Sequence, residues 1–147
     1  MNFSFSNSIL FLHVLAFATA VPFLMRLKLL RLASLLEPGS GFMTPDPATI
    51  ERIAKYVEMA IRRGGPLVRR GCLTRGLTRY YFLRRAGIDV SLCFGMSQAG
   101  KAFGHCWLER AGEPFLEPTD PRSCFTVMYR ISGSHRPEAT ARTTANA

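Results

Sequence analysis

The chain has 147 residues, is 48% hydrophobic and 20% charged, and sets nineteen Lys and Arg against ten Asp and Glu for a formal charge of +9. That apolar content is too ordinary for a disordered chain, and the length suits one compact domain rather than two. Collagen, coiled-coil and repeat compositions are absent as well.

From Ile9 to Met25 the residues are almost wholly apolar, interrupted by His13, Thr19 and Pro22 and followed by Arg26, Lys28 and Arg31. A bilayer span needs about 20 apolar residues, more than this run supplies. Ala18-Thr19-Ala20 looks like a signal-peptidase site, but Met1 to Ser8 lacks the positive charge that begins a signal peptide, so export is not expected. Leu27, Leu29, Leu30, Leu32, Leu35 and Leu36 continue the apolar positions. Residues 1–47 therefore read as apolar helices kinked at Pro22, packed on the body or lying on a lipid surface, and closed by a Pro/Gly linker from Glu37 to Pro47.

Residues 48–131 carry the patterned part of the chain. Asp46 can cap a helix with Pro47 at its first position, and Ile50, Ile53, Ala54, Val57, Ala60 and Ile61 recur at helical spacing until Gly64-Gly65-Pro66. Arg52, Lys55, Arg62 and Arg63 read as its solvated face. A second helix is predicted from Cys72 to Gly87, with Leu73, Leu77, Tyr80 and Tyr81 on one face. Arg75 and Arg79, four apart, read as a solvated face able to attract an acidic peptide. Ile88, Val90, Leu92 and Phe94 then alternate with polar residues as in a half-buried strand, and Gly95 to Gly104 reads as a loop.

Two short strands, Gly104 to Glu109 and Glu113 to Glu117, flank Arg110-Ala111-Gly112. A three-residue loop closed by a left-handed Gly112 pairs Glu109 with Glu113, Trp107 with Phe115 and His105 with Glu117. Asp120, beyond Pro118, would have to bend back to reach His105. Trp107 either walls a site beside His105 or fills the core beside Phe115. Phe125, Met128, Tyr129 and Ile131 form a last packed element, and residues 132–147 have no apolar pattern and are expected to be disordered.

Between Glu51 and Arg85 ten basic residues stand against two acidic ones, a local excess of +8. Such a band attracts nucleic acid, anionic lipid or acidic peptide without choosing among them. No nucleic-acid motif accompanies it and the aromatics are not interleaved as a stacking platform, so nucleic-acid binding stands as an alternative only. Cys72, Cys93, Cys106 and Cys124 contain no C-x-x-C, which argues against both a zinc site and a disulfide scaffold. Reduced thiols in a cytosolic protein leave one free as a nucleophile, and the chemistry that follows needs no metal or cofactor.

A thiol in the first turn of a helix feels the positive end of the helix dipole, and the backbone N–H there can serve an oxyanion. Cys72 is so placed, His105 could accept its proton and return it to a leaving amine, and Glu117 could orient the imidazole. Taken singly, a cysteine is more often a small buried hydrophobe and a strand histidine more often a packed one. The combination is what points to acyl-transfer chemistry.

Gly71-Cys72-Leu73-Thr74-Arg75-Gly76-Leu77, the helix end Leu83-Arg84-Arg85-Ala86-Gly87, Phe94-Gly95-Met96, and Gly104-His105-Cys106-Trp107-Leu108-Glu109 with Gly112 together resemble a transglutaminase-like cysteine peptidase family, the leader-peptidase component of lasso-peptide biosynthesis. The resemblance spans roughly Ile50 to Ile131. It implies an α+β, papain-like core, with a nucleophile helix on a small antiparallel sheet preceded by apolar helices, and catalysis by Cys72, His105 and Glu117. It also implies a precursor-peptide substrate, a separate leader-recognition protein and a macrolactam synthetase as partners, and a cytoplasmic location with membrane-surface contact through the N-terminal segment as an option. The family commonly has Ala after the His, where Cys106 stands here, and Asp where Glu117 stands. A non-catalytic precursor- or synthetase-binding module on the same fold is the rival reading.

Overall fold

Helices on one face of an antiparallel sheet make up the computed structural model, which describes residues 7–27, 29–36, 46–99, 103–132 and 135–139. Helix α1 (Asn7–Leu24) is followed by α2 (Leu29–Leu36), α3 (Pro47–Arg63) and α4 (Cys72–Arg85). The strands are β1 (Ser91–Ser97), β2 (Gly104–Arg110), β3 (Glu113–Phe115), β4 (Phe125–Ser132) and β5 (His135–Ala139), in the sheet order β3-β2-β1-β4-β5. This is the α+β architecture expected of a transglutaminase-like core. Helix α4 lies on β1 and β2, and α1 and α3 pack against α4 and each other.

The apolar N-terminal run buries a stripe, not its whole surface. Val14, Ala18 and Val21, at helical spacing along α1, are buried in the same core as Val57, Leu77 and Leu83. Phe17 stacks on Tyr81 of α4 at 4.2 Å between ring centroids. Pro22 falls in the last turn of α1, where it can give no N–H to the Ala18 carbonyl, and the helix ends two residues later. Among the described residues no helix is long and apolar enough to cross a membrane. Most of the linker expected over 37–47 and the end of the tail, 140–147, lie outside the described residues.

The central helices follow the local signals. Asp46 accepts a hydrogen bond from the Ala48 N–H at 3.1 Å, with Pro47 opening α3, and Ile53, Val57, Ala60 and Ile61 are buried. At the end of α4 the Ile88 N–H reaches the Leu83 carbonyl and the Gly87 N–H the Arg84 carbonyl, both at 3.0 Å, around a left-handed Gly87 at φ 81°. That double closure is a Schellman motif, and buried Ile88 packs over the turn it closes.

Three expectations about the strands need correction. First, β1 runs through Gly95 to Ser97 instead of stopping at Phe94. Gly95 is there because a Cβ would stand 2.7 Å from the Trp107 ring, so the glycine marks a close approach, not a loop. Second, the hairpin turn has two residues, Ala111 at φ 51° and Gly112 at φ 82°, so Arg110 opposes Glu113, Glu109 opposes Pro114 and Leu108 opposes Phe115. Two consecutive left-handed residues make the turn whose twist matches the strands, and that match offsets the roughly 1 kcal/mol cost of placing Ala111 there. The expected pairs Glu109–Glu113 and Trp107–Phe115 are thus off by one, which moves β3 side chains to the other face. Third, residues 135–139, expected to lie in a disordered tail, form the edge strand β5 against β4. Backbone pairing at an edge needs no apolar pattern, and an edge tolerates Pro137.

Candidate active site

Cys72 is the first residue of α4 and is half-buried. No side chain caps this end, since the preceding residue, Gly71, has none to offer, and the helix therefore presents its first-turn N–H groups beside the thiol. The seat of α4 on the sheet is set four residues later, where Gly76 packs over Cys106 of β2. A Cβ at Gly76 would lie 2.7 Å from the Cys106 Sγ. Cys106 therefore faces the helix, as strand alternation requires if His105 and Trp107 face away from it.

His105 is held by aromatic rings. Trp107, fully buried, lies nearly parallel to it at 5.9 Å between centroids and 17°, and Phe125 of β4 approaches at 5.0 Å. Trp107 thus serves as both core and wall. Its indole Nε1 donates to Glu109, whose other carboxylate oxygen accepts from Arg130 at 2.7 Å, so ring and network lock each other.

Glu117 meets His105, though not by the expected register. Continuing the β3 pairing would set Glu117 opposite Cys106, on the helix side. Instead Leu116 adopts φ 60°, an unusual conformation for a bulky residue, and the chain turns so that Glu117 Oε2 stands 3.8 Å from His105 Nε2. This is a charge contact, longer than a hydrogen bond. Asp120 is engaged elsewhere. It caps the turn Pro121–Ser123 and holds Arg122, whose hydrogen bonds and charge lower its pKa.

The arginines of α4 are the part that sequence reasoning missed. Arg79 is buried, not solvated. Its Nη1 donates to the Leu116 carbonyl at 2.9 Å and lies 3.9 Å from Glu117 Oε1, while Nη2 donates to Glu58 of α3 at 2.9 Å. Arg75 Nε donates to the same Glu58 oxygen at 2.6 Å. The available signal was the helix arc, since Arg79 falls between Gly76 and Leu83 on the stripe that faces the sheet. Burial alone would raise the Glu58 pKa, but the Arg75 hydrogen bond and the charges of Arg75, Arg79 and Arg62 outweigh it and hold the carboxyl below its ordinary value. For Glu117 the balance is reversed, and burial raises it despite Arg79, His105 and Arg75.

Of the other thiols, Cys93 is pushed up to about 12 by burial and by the Glu109 charge, and Cys106 is raised well above its ordinary value by burial and by the charges of Cys72, Cys93 and Glu117. Both are inert packing groups. Among the described residues His105 and Glu117 are brought together, whereas Cys72 makes no hydrogen bond or ion pair with either of them. A family model described as the transglutaminase-like superfamily matches residues 14–130. No curated protein and no solved structure matches the chain.

Proposed function

The chain belongs to the transglutaminase-like superfamily, and from that premise we propose that it is a thiol-dependent peptidase that removes the leader from a ribosomally made precursor peptide in lasso-peptide or related modified-peptide biosynthesis. The observation that supports the reading is the His105–Glu117 contact, with Cys72 at the uncapped N-terminus of α4 as the thiol that the pair would serve.

In this reading Nε2 of His105 faces Glu117, and Nδ1 takes the Cys72 proton when the ring swings around the sheet end toward the start of α4. The thiolate attacks the scissile carbonyl carbon, the oxyanion is met by first-turn N–H groups of α4, and the C–N bond breaks as His105 returns the proton to the leaving amine. Water then adds to the thioester, His105 takes its proton, and the C–S bond breaks to release the acid and regenerate the thiol. Glu117 supports the imidazolium. Arg79 holds the Leu116 carbonyl and so positions Glu117. The resemblance of the motifs supports a separate leader-recognition protein and a macrolactam synthetase as partners. The exposed Ile9, Leu12, Phe23 and Leu35 support a peripheral lipid contact in a cytoplasmic setting.

Alkylation with iodoacetamide near neutral pH, followed by peptide mapping, tests the nucleophile. Cys72 should be modified first, ahead of exposed Cys124, with Cys93 and Cys106 protected. Cys72→Ala should abolish precursor maturation. Maturation that survives Cys72→Ala would favour the non-catalytic binding module instead.

A further inference from the structure

The cavity beside Cys72 has a composition that the proposed chemistry does not use. It has a volume of about 320 Å³ and is lined by Glu58, Ile61, Arg62, Arg70, Gly71 and Arg75, so it opens directly next to the residue that precedes the nucleophile. Its only acidic lining group is already matched. Glu58 accepts from Arg75 through both carboxylate oxygens, at 2.6 and 3.3 Å, and from Arg79 at 2.9 Å. Two arginines remain. Among the described residues the Arg62 guanidinium makes no hydrogen bond, and Arg70 uses a single contact, from Nη2 to the Arg62 carbonyl at 3.3 Å. That contact ties the segment before α4 to the end of α3, and Arg62 and Arg70 both line the cavity. Buried Ile61 supplies an apolar wall.

An apolar wall with two guanidinium groups that hydrogen-bond no carboxylate is suited to a small anion on a hydrocarbon stem, and guanidinium forks match carboxylate geometry. We propose that this cavity is a carboxylate subsite that holds an acidic group of the peptide substrate next to the bond being cut. The inference rests on Cys72 being the nucleophile, and it adds a substrate preference that the triad alone does not set. The carboxylate belongs either to an Asp or Glu side chain or to the end of a peptide chain. Binding there would place the peptide across the start of α4, and the Arg75–Glu58 pair would form the floor rather than the recognising group. A neutral peptide would leave Arg62 and Arg70 solvated and gain nothing from them.

The test compares iodoacetate with iodoacetamide, which differ by one negative charge, at Cys72 in the full chain, with exposed Cys124 as an internal reference. The Cys72 rate ratio of iodoacetate to iodoacetamide, divided by the same ratio at Cys124, should fall roughly tenfold in Arg62→Gln/Arg70→Gln at low ionic strength and should shrink in wild type as salt is added. Arg52→Gln/Lys55→Gln removes the same charge from exposed positions of α3 outside the cavity and should leave the ratio near wild type. Equal ratios in the two double variants would overturn the subsite. In a second arm, acetylglutamate amide and acetylglycine compete against iodoacetamide at Cys72, with acetylglutamine amide as the neutral control. Protection by the first assigns the carboxylate to a side chain, and protection by the second to a chain end. Protection by neither, or equally by the neutral control, overturns the proposal. Failure of iodoacetamide itself to modify Cys72 is a different result, which removes the nucleophile and the subsite with it.

Discussion

Gly76→Ala is the substitution whose consequences the packing fixes most closely, because two opposed effects meet at one atom. In a helix interior, alanine is better than glycine by about 1 kcal/mol. Against that, the new methyl would stand 2.7 Å from the Cys106 Sγ and 3.2 Å from a Leu92 methyl, both on buried residues of the sheet under α4. Relieving an overlap of that size in a packed interior costs roughly 2 kcal/mol. The net expectation is a loss of about 1 kcal/mol. Cys106→Ala alone removes the buried sulfur and should also cost about 1 kcal/mol through lost contacts and a small void. If the collision is with that sulfur, the double variant restores the fit and keeps the helix gain, so it should be as stable as wild type or slightly better. The sum of the single changes is a loss of about 2 kcal/mol, and the cycle should therefore show coupling of roughly −2 kcal/mol. Urea unfolding of the four proteins, at constant m, measures it. Additive losses would refute the close seat of α4 on β2, and with it the placement of Cys72 that depends on that seat.

Gly95→Ala should drive a methyl into the Trp107 ring at 2.7 Å, cost roughly 2 kcal/mol, and change the emission of the chain's one tryptophan along with any activity that needs the His105 stack. Arg79→Gln should destabilise by about 2 to 4 kcal/mol, because it leaves the half-buried Glu117 carboxylate without its guanidinium and the Leu116 carbonyl without its donor, while Glu58 keeps Arg75, and Arg79→Lys should rescue little because one ammonium cannot reach both Glu58 and the Leu116 carbonyl; thermal unfolding of both variants checks this. The Glu58 carboxyl is held below its unfolded value, so its contribution is present above that value and lost as pH falls through the folded pKa; Glu58→Gln should flatten that part of the acid-unfolding curve. Glu117, held above its unfolded value, does the opposite. Its ionisation costs stability as pH rises between the unfolded and folded pKa values, and Glu117→Gln should remove that slope while lowering kcat/KM by roughly tenfold or more.

Local chemistry alone specified the elements that close on themselves. The Asp46-Pro47 start of α3, the Gly87 stop of α4 and the two-residue alternation leading into β1 are set by caps, turns and periodicity within a few positions, and they are legible without the fold. Cys72 at a helix start and the pairing of His105 with Glu117 were legible on the same basis, the latter through a register that proved one residue out.

Long-range packing decided the rest. Nothing local separates a two-residue turn with a left-handed alanine from a three-residue turn, because the difference depends on the strand twist across the whole hairpin. The kink at Leu116 is a conformation that a leucine avoids in isolation, and it is held by a carbonyl bond from an arginine 37 positions earlier. Arg79 itself looked like surface because a guanidinium is expensive to bury, and only the meeting of α3, α4 and the segment after β3 supplies the Glu58 and Glu117 charges and the carbonyl that offset the expense. Residue types thus chose the reactive groups, whereas their spacing in the fold came from contacts between parts of the chain that no short window contains.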